Sequence, residues 1–427
     1  MKVLLKISSA LIVLSLCGFF VLPALHVEVI VAYTITSISA SLTFIAFCYF
    51  ILKEDIPAKY LYGLLAIGIL FRLVFLFVHP VGSPDYYRYV WDGKVQANGV
   101  NPYAYAPNDP ALSSLHSDLI PRLVTYPDMR TIYPPLSEML FYVAYRIDGE
   151  SFLGIKSLIL IFDLLTIFGL FLTLRRLKLE PKYVLLYALC PLPIIQFFLD
   201  GHVDGFGFTF LIFAIYFYLG NRKALAYIFV GLSMLIKPLA LIVVPVLFFI
   251  EKGTVNKLKA AAIPVVLVAL FYLPYTFTGH PFQALMTFTE NWTFNGVVFD
   301  ILDSFIRDNQ RARTVCAILL AAAYLPVILS RKGLLTKIYL SIFLLFIFSP
   351  IVHPWYIGWL AVLLPLVPRP SGIAYVGLSS LTAFTILTYQ QTGVWKDYTP
   401  VLILEYTPVI MLFLWEMFRR NRHFAPR

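Results

Sequence analysis

Ser83-Pro84-Asp85-Tyr86-Tyr87-Arg88-Tyr89-Val90-Trp91-Asp92-Gly93 sets two carboxylates and an arginine just beyond a long apolar run that ends near His79. A carboxylate beside a guanidinium stays charged and can take a proton, so this cluster suits acid–base chemistry where hydrocarbon meets water. Asp85 and Asp92 are i and i+7, with Arg88 between them, so a helix would put all three on one face. A plain surface ion pair, worth about 0–1 kcal/mol, would leave the surrounding Tyr86, Tyr87, Tyr89 and Trp91 without a reason. Asp85 and Asp92 are therefore the candidate catalytic residues, with Tyr89 and Trp91 as a shielding, substrate-contacting shell.

Further polar groups interrupt apolar runs elsewhere. Lys237 stands before Pro238, where the proline breaks a helix and frees its polar ends, and offers a cation for a lipid phosphate. Arg88, Arg122 and Arg130 add to a basic outer face that could serve the same anion. His202 and Asp204 share one short turn between Gly201 and Gly205, which let a ligand approach closely. His353 precedes Pro354-Trp355-Tyr356; an interfacial aromatic belt accounts for Trp355 and Tyr356 but not for the histidine. No metal site is assigned and no cofactor is certain. A divalent metal would need Asp85, His202 and Asp204 to converge. The chain has no GxxxxGK[ST], GxGxxG, GxSxG or HExxH pattern, so an activated substrate would come from the membrane, not from soluble nucleotide.

The elements that must position these residues are membrane helices. The chain of 427 residues is 60% hydrophobic and 13% charged, a composition that no soluble domain of this size shows. Apolar runs recur near 7–24, 28–52, 58–78, 151–174, 183–199, 205–220, 223–236, 238–251, 258–275, 312–330, 335–350, 354–368, 371–389 and 400–418. The fold class expected is an all-α polytopic membrane protein with about 12–14 transmembrane helices and a long extracytoplasmic first loop. A single integral membrane domain covers 1–427. It carries an extracytoplasmic catalytic loop with juxtamembrane helices at 80–147, and a second outside loop at 276–311. The four cysteines, Cys17, Cys48, Cys190 and Cys316, read as small apolar residues.

The net charge of +10 gives no argument for nucleic acid, because the basic residues sit in short caps between spans. With the N-terminus inside, the inner caps hold 21 of the 33 Lys and Arg, among them Arg175, Arg176, Arg222, Lys332, Arg419, Arg420, Arg422 and Arg427. This bias puts both termini in the cytoplasm of a multi-pass cell-membrane protein, with the active site on the other face. Segment 133–147 must then not cross, since a crossing would turn Arg175-Arg176 outward. It is expected as a helix on the outer surface, started by Pro134-Pro135. Arg72 and Asp163, both inside spans, are expected as a buried structural pair.

The blocks Asp85 to Gly93, Gly99-Val100-Asn101-Pro102-Tyr103 and Tyr133-Pro134-Pro135-Leu136 resemble multi-span glycosyltransferases of the GT-C superfamily. The polyprenyl-phosphate-mannose-dependent mannosyltransferase type of prokaryotes is the nearest in pattern. Gly201-His202-Val203-Asp204 is similar to that type's Gly-His-Asn-Asp loop, with Val203 in place of the Asn; Lys237-Pro238 and His353-Pro354-Trp355-Tyr356 follow in order. The resemblance implies an outward-facing site and a polyprenyl-phosphate sugar as donor. It also implies a glycan or glycolipid acceptor, inversion at the sugar, and Asp85 as base. It adds Asn101 and Tyr133 to the substrate contacts. Mannose itself comes from the resemblance. The competing readings are a transporter or flippase for a lipid-linked sugar, which predicts inverted repeats and charges at mid-membrane, and a structural subunit.

Overall fold

The computed structural model describes residues 2–418; Arg419, Arg420, Arg422 and Arg427, counted in the charge bias, lie outside them. In hydrocarbon every backbone amide must be satisfied within its own segment, so the apolar runs become helices. The first six of these that matter here are α1 (Lys2–Ala24), α2 (Val29–Ile51), α3 (Ala58–Leu76), α4 (Asp85–Ala97), α5 (Pro135–Asp148) and α6 (Leu153–Arg176). Among the described residues the one β feature outside the helices is an isolated parallel bridge between Phe294 and Ile351. The protein is an all-α polytopic membrane protein.

Among the described residues, eight helices are long and apolar enough to cross a bilayer: α1, α2, α3, α6, Thr254–Thr276, Asn309–Leu329, Pro370–Thr392 and Thr399–Phe418. The pair Pro181–Ala188 and Pro191–Leu199, bent by 44°, raises this to nine if it forms one span. Asp204–Leu219, Lys223–Met234, Pro238–Ile250 and Leu334–Phe348 are apolar but shorter. The expected 12–14 counted these short helices as spans. It also counted 354–368, which is α-helical only over Pro354–Ala361.

The chain forms two compact units. One is built from residues up to Phe75, Leu170–Gln196 and the chain from Thr293 onward. In it α1 packs on α2, and α2 packs on Pro370–Leu378 and Ala383–Thr392. The guanidinium of Arg72, fully buried, donates to the carbonyls of Gly68 (3.0 Å) and Ala188 (2.6 Å). An intramembrane charge is thus held by backbone dipoles. Cys48, Cys190 and Cys316 are buried free thiols.

The other unit comprises Leu76–Gly169 and Phe197–Trp292. Pro134-Pro135 starts α5 as expected, because proline at the first helical position costs no hydrogen bond. α4 crosses α5 at Gly93, where an added Cβ would lie 2.3 Å from the Phe141 carbonyl oxygen, so only glycine permits the approach. α5 buries Ser137, Glu138, Phe141 and Ala144. On another side it exposes Met139, Val143 and Ile147, an apolar stripe at four-residue spacing.

Candidate functional site

Asp85 is the first residue of α4, and the chain reaches it through a fixed approach. The Asp200 carboxylate accepts from the Gly82 amide at 2.7 Å, and the Ser83 hydroxyl accepts from the Asp85 amide at 3.2 Å. His79 and the Tyr86 hydroxyl are hydrogen-bonded at 3.0 Å, which ties the first turn of α4 back to the chain before it. Asp200 directly follows a π-helical stretch, Ile194–Leu199, a local unwinding often found at functional sites. Gly201 follows at φ +79, a left-handed turn that a side chain would strain. The turn delivers His202 and then Asp204, which opens the next helix.

The approach and the turn meet at Asp85. His202 Nδ1 lies 3.7 Å from Asp85 Oδ2, with the histidine side chain 1% exposed and the aspartate 26% exposed. Lys237, in the break between Lys223–Met234 and Pro238–Ile250, donates to Asp204 Oδ2 at 3.1 Å. Burial raises the Asp85 carboxyl to about 6. The Lys237 ammonium and hydrogen bonds from Ser83 and Thr125 oppose the rise, and the Asp204 charge adds to it. The result is a half-buried carboxyl that titrates close to neutral pH, open on one side and backed by a histidine and an ion pair.

Asp92 sits in a different setting. Arg88 Nε binds both Asp92 oxygens, at 3.0 and 2.9 Å, and Arg88 Nη1 donates to the Met129 carbonyl at 2.8 Å. Asp92 is 1% exposed. Its neighbour Glu138, fully buried on α5, accepts from the Thr131 hydroxyl at 2.6 Å and from Gln96 at 3.0 Å. Burial first, and then the Asp92 charge, push the Glu138 carboxyl well above the usual range. Burial also raises Asp92, but the Arg88 guanidinium works against it. α4 is helical through all three groups, so they share a face as expected. They differ in level along it: Arg88 pairs with Asp92, while Asp85 in the first turn lies beside His202.

The other expected site residues fall into four settings. Tyr89 (3% exposed) stacks on Phe141 at 4.8 Å and meets Tyr133 edge-on, while Trp91 (1% exposed) packs on His116. These two rings hold the loop together and present almost no surface to a substrate, because the loop folds into its own small core. Asn101 donates to the Tyr275 carbonyl at 2.9 Å and to the Thr278 hydroxyl at 3.0 Å, and the Tyr133 carbonyl accepts from the Tyr103 hydroxyl at 2.5 Å. Arg130 pairs with Gln283, and Arg122 is exposed. His353, Trp355 and Tyr356 belong to the first unit. Among the described residues, no three His, Cys, Asp or Glu side chains are grouped to hold a metal ion. Asp85, His202 and Asp204 thus do not converge as one ligand set.

Glu138 and Asp200 are the polar residues whose role the pattern reading missed. Glu138 carries one signal, a carboxylate in the first turn of an amphipathic helix; Asp200 stands directly before Gly201, next to the turn that bears His202 and Asp204.

The fold defines the class as an all-α, multi-span membrane protein, and the Asp85 carboxyl lies open among buried polar partners. Over residues 12–252, more than half of its length, the chain matches the family described as Alpha-(1->6)-mannopyranosyltransferase, N-terminal domain, and it belongs to that family. The protein is accordingly a mannosyltransferase of the glycosyltransferase class. No curated protein matches the chain.

Proposed function

We propose that the protein transfers mannose from a polyprenyl-phosphate donor to a glycan or glycolipid hydroxyl on the extracytoplasmic face, with Asp85 as the base. The observation that carries this reading is the Asp85 carboxyl itself, 26% exposed and flanked by His202, Asp204 and Lys237. The acceptor hydroxyl oxygen attacks the anomeric carbon, the bond from that carbon to the phosphate oxygen breaks, and Asp85 takes the hydroxyl proton. Negative charge grows on the leaving lipid phosphate. Lys237 and the loop arginines Arg122 and Arg130 supply cations toward it, and Arg88 keeps one guanidinium nitrogen, Nη2, without a partner among the described residues. A single displacement inverts the anomeric centre, so an α-linked product, as the family description names, calls for a β-linked donor. The absence of any phosphate-cradling nucleotide motif supports a lipid donor over a soluble one. The stripe Met139, Val143 and Ile147 supports α5 lying in the membrane surface beside that donor.

The test is sugar transfer by the purified protein in detergent, with polyprenyl-phosphate mannose and GDP-mannose offered separately. Transfer from the lipid donor alone is expected, lowered roughly 10²–10⁴-fold in Asp85→Asn. Undiminished transfer by Asp85→Asn would remove the base, and transfer from GDP-mannose would replace the donor. Lipid translocation in liposomes without transfer would mark a transporter.

A further inference from the structure

Outside the Asp85 site, the first unit holds a group of aromatic and acidic side chains that the proposed reaction leaves unused. Its frame is the parallel bridge at Phe294. The Phe294 amide donates to the Pro350 carbonyl at 3.0 Å, and the Val352 amide donates to the Phe294 carbonyl at 2.7 Å. This locks the segment before helix Val297–Ile306 against the segment before Pro354–Ala361. Gly296 makes the fit possible, since a Cβ there would lie 2.7 Å from the Ser349 carbonyl oxygen.

Rings line up along that frame. His353 stacks on Trp355 at 4.2 Å and 5°, Phe294 stacks on His353 at 4.7 Å, and Trp395 leans on Phe294 at 5.0 Å. Phe294 is 2% exposed, whereas Trp395 at the end of the row is 44% exposed. The row thus passes from the half-buried Trp355 and His353 over the buried Phe294 to an open aromatic face at Trp395.

Carboxyl groups flank the same frame. Asn295 donates to Glu405 Oε2 at 3.0 Å, and the Tyr406 hydroxyl donates to the Asn295 carbonyl at 2.7 Å. Glu405 is fully buried, yet its Oε1 has no hydrogen-bond partner among the described residues; nor has Asp300 Oδ2. Asp397, two residues after Trp395, interacts with the Asn295 backbone and with Asp300. The segment 395–397 thus brings an open ring and an acid to one place.

A buried carboxylate oxygen without a donor is costly, and one that a ligand hydroxyl completes is a recognition device. A row of aromatic faces beside hydrogen-bond acceptors matches a pyranose, which offers an apolar C–H face and a rim of hydroxyl donors. An interfacial aromatic belt would explain Trp355 and Trp395 but not the unmatched oxygens on Glu405 and Asp300. We propose that Phe294, His353, Trp355 and Trp395, with Glu405 and Asp300 as acceptors, form a carbohydrate subsite that binds a mannose unit of the acceptor glycan. This rests on the mannosyltransferase reading for the identity of the sugar.

The test measures binding of α-linked mannobiose to the full-length protein in detergent by saturation-transfer NMR and calorimetry, with maltose as control. Wild type and Asp85→Asn should bind mannobiose alike. Trp395→Ala and Glu405→Gln should each weaken it at least tenfold, with thermal unfolding of the half-exposed Trp395 variant unchanged. In the transfer assay the acceptor KM should rise in Trp395→Ala while the donor KM holds. Wild-type mannobiose affinity in both variants, or no mannobiose binding by wild type, overturns the subsite even where transfer is intact. Mannobiose binding that depends on Trp395, in a protein that transfers no sugar from any donor, upholds the subsite and sinks the transferase mechanism instead.

Discussion

Asp85 carries a pH prediction because its charge is set by named neighbours. In the proposed mechanism its base form is the reactive one. With the carboxyl near 6, kcat/KM should climb with pH through that value, level off above it, and fall about tenfold per pH unit below it. Lys237 lowers the Asp85 value, so Lys237→Met should move the acid limb to higher pH. Asp204 raises it, so Asp204→Asn should move the limb the other way. His202 lies 3.7 Å away and is the obvious rival for the titration. A limb that disappears in His202→Gln, or stays fixed in Lys237→Met, would take the base role from Asp85. The measurement is a pH–rate profile of the three variants with the lipid donor.

At the scale of elements, the helix α4 has two jobs at two levels along its length. Its first turn presents Asp85; the turns that follow are riveted to α5 by Gly93 and by the Arg88–Asp92 pair. Buried pairs add little over an apolar substitute, but removing one partner strands the other charge, at about 3–5 kcal/mol. Here the stranded group would also face Glu138. Arg88→Met is therefore expected to lower the thermal unfolding temperature in detergent strongly, and Arg88→Met with Asp92→Leu much less than the sum of the two singles. Additive shifts would show that the pair is not a unit. The spans were legible in the sequence because apolar run length is a strong signal: 58–78 is Ala58–Leu76 and 258–275 is Thr254–Thr276. The helix after Pro134-Pro135 was legible from proline's place at a helix start. Spacing put Asp85, Arg88 and Asp92 on one face of α4, and the helix has them there. What the sequence could not carry was that Arg88 pairs with Asp92 while Asp85 meets His202, a residue far along the chain. Glu138 stayed hidden because its burial and its partner Gln96 depend on the packing of α4 on α5, which only the fold supplies.

For the whole molecule the open quantity is orientation, and two independent features bear on it. Basic caps gather at Arg175-Arg176, Arg222-Lys223 and Arg331-Lys332, which the charge rule places in the cytoplasm. The apolar stripe of α5 gives that helix a reason to lie in the surface and not to cross. If α5 crossed, every later cap would invert, so one experiment addresses both. In a background with Cys17, Cys48, Cys190 and Cys316 replaced by alanine, single cysteines are placed at the exposed positions Ser114, in the first loop, and Lys332, in a basic cap. A membrane-impermeant maleimide should label Ser114→Cys in intact cells and reach Lys332→Cys only after the membrane is opened. Labelling of both in intact cells would mean that an even number of spans separates them. The α5 segment would then be among the crossings, and the Asp85 site could no longer share the face opposite the later basic caps.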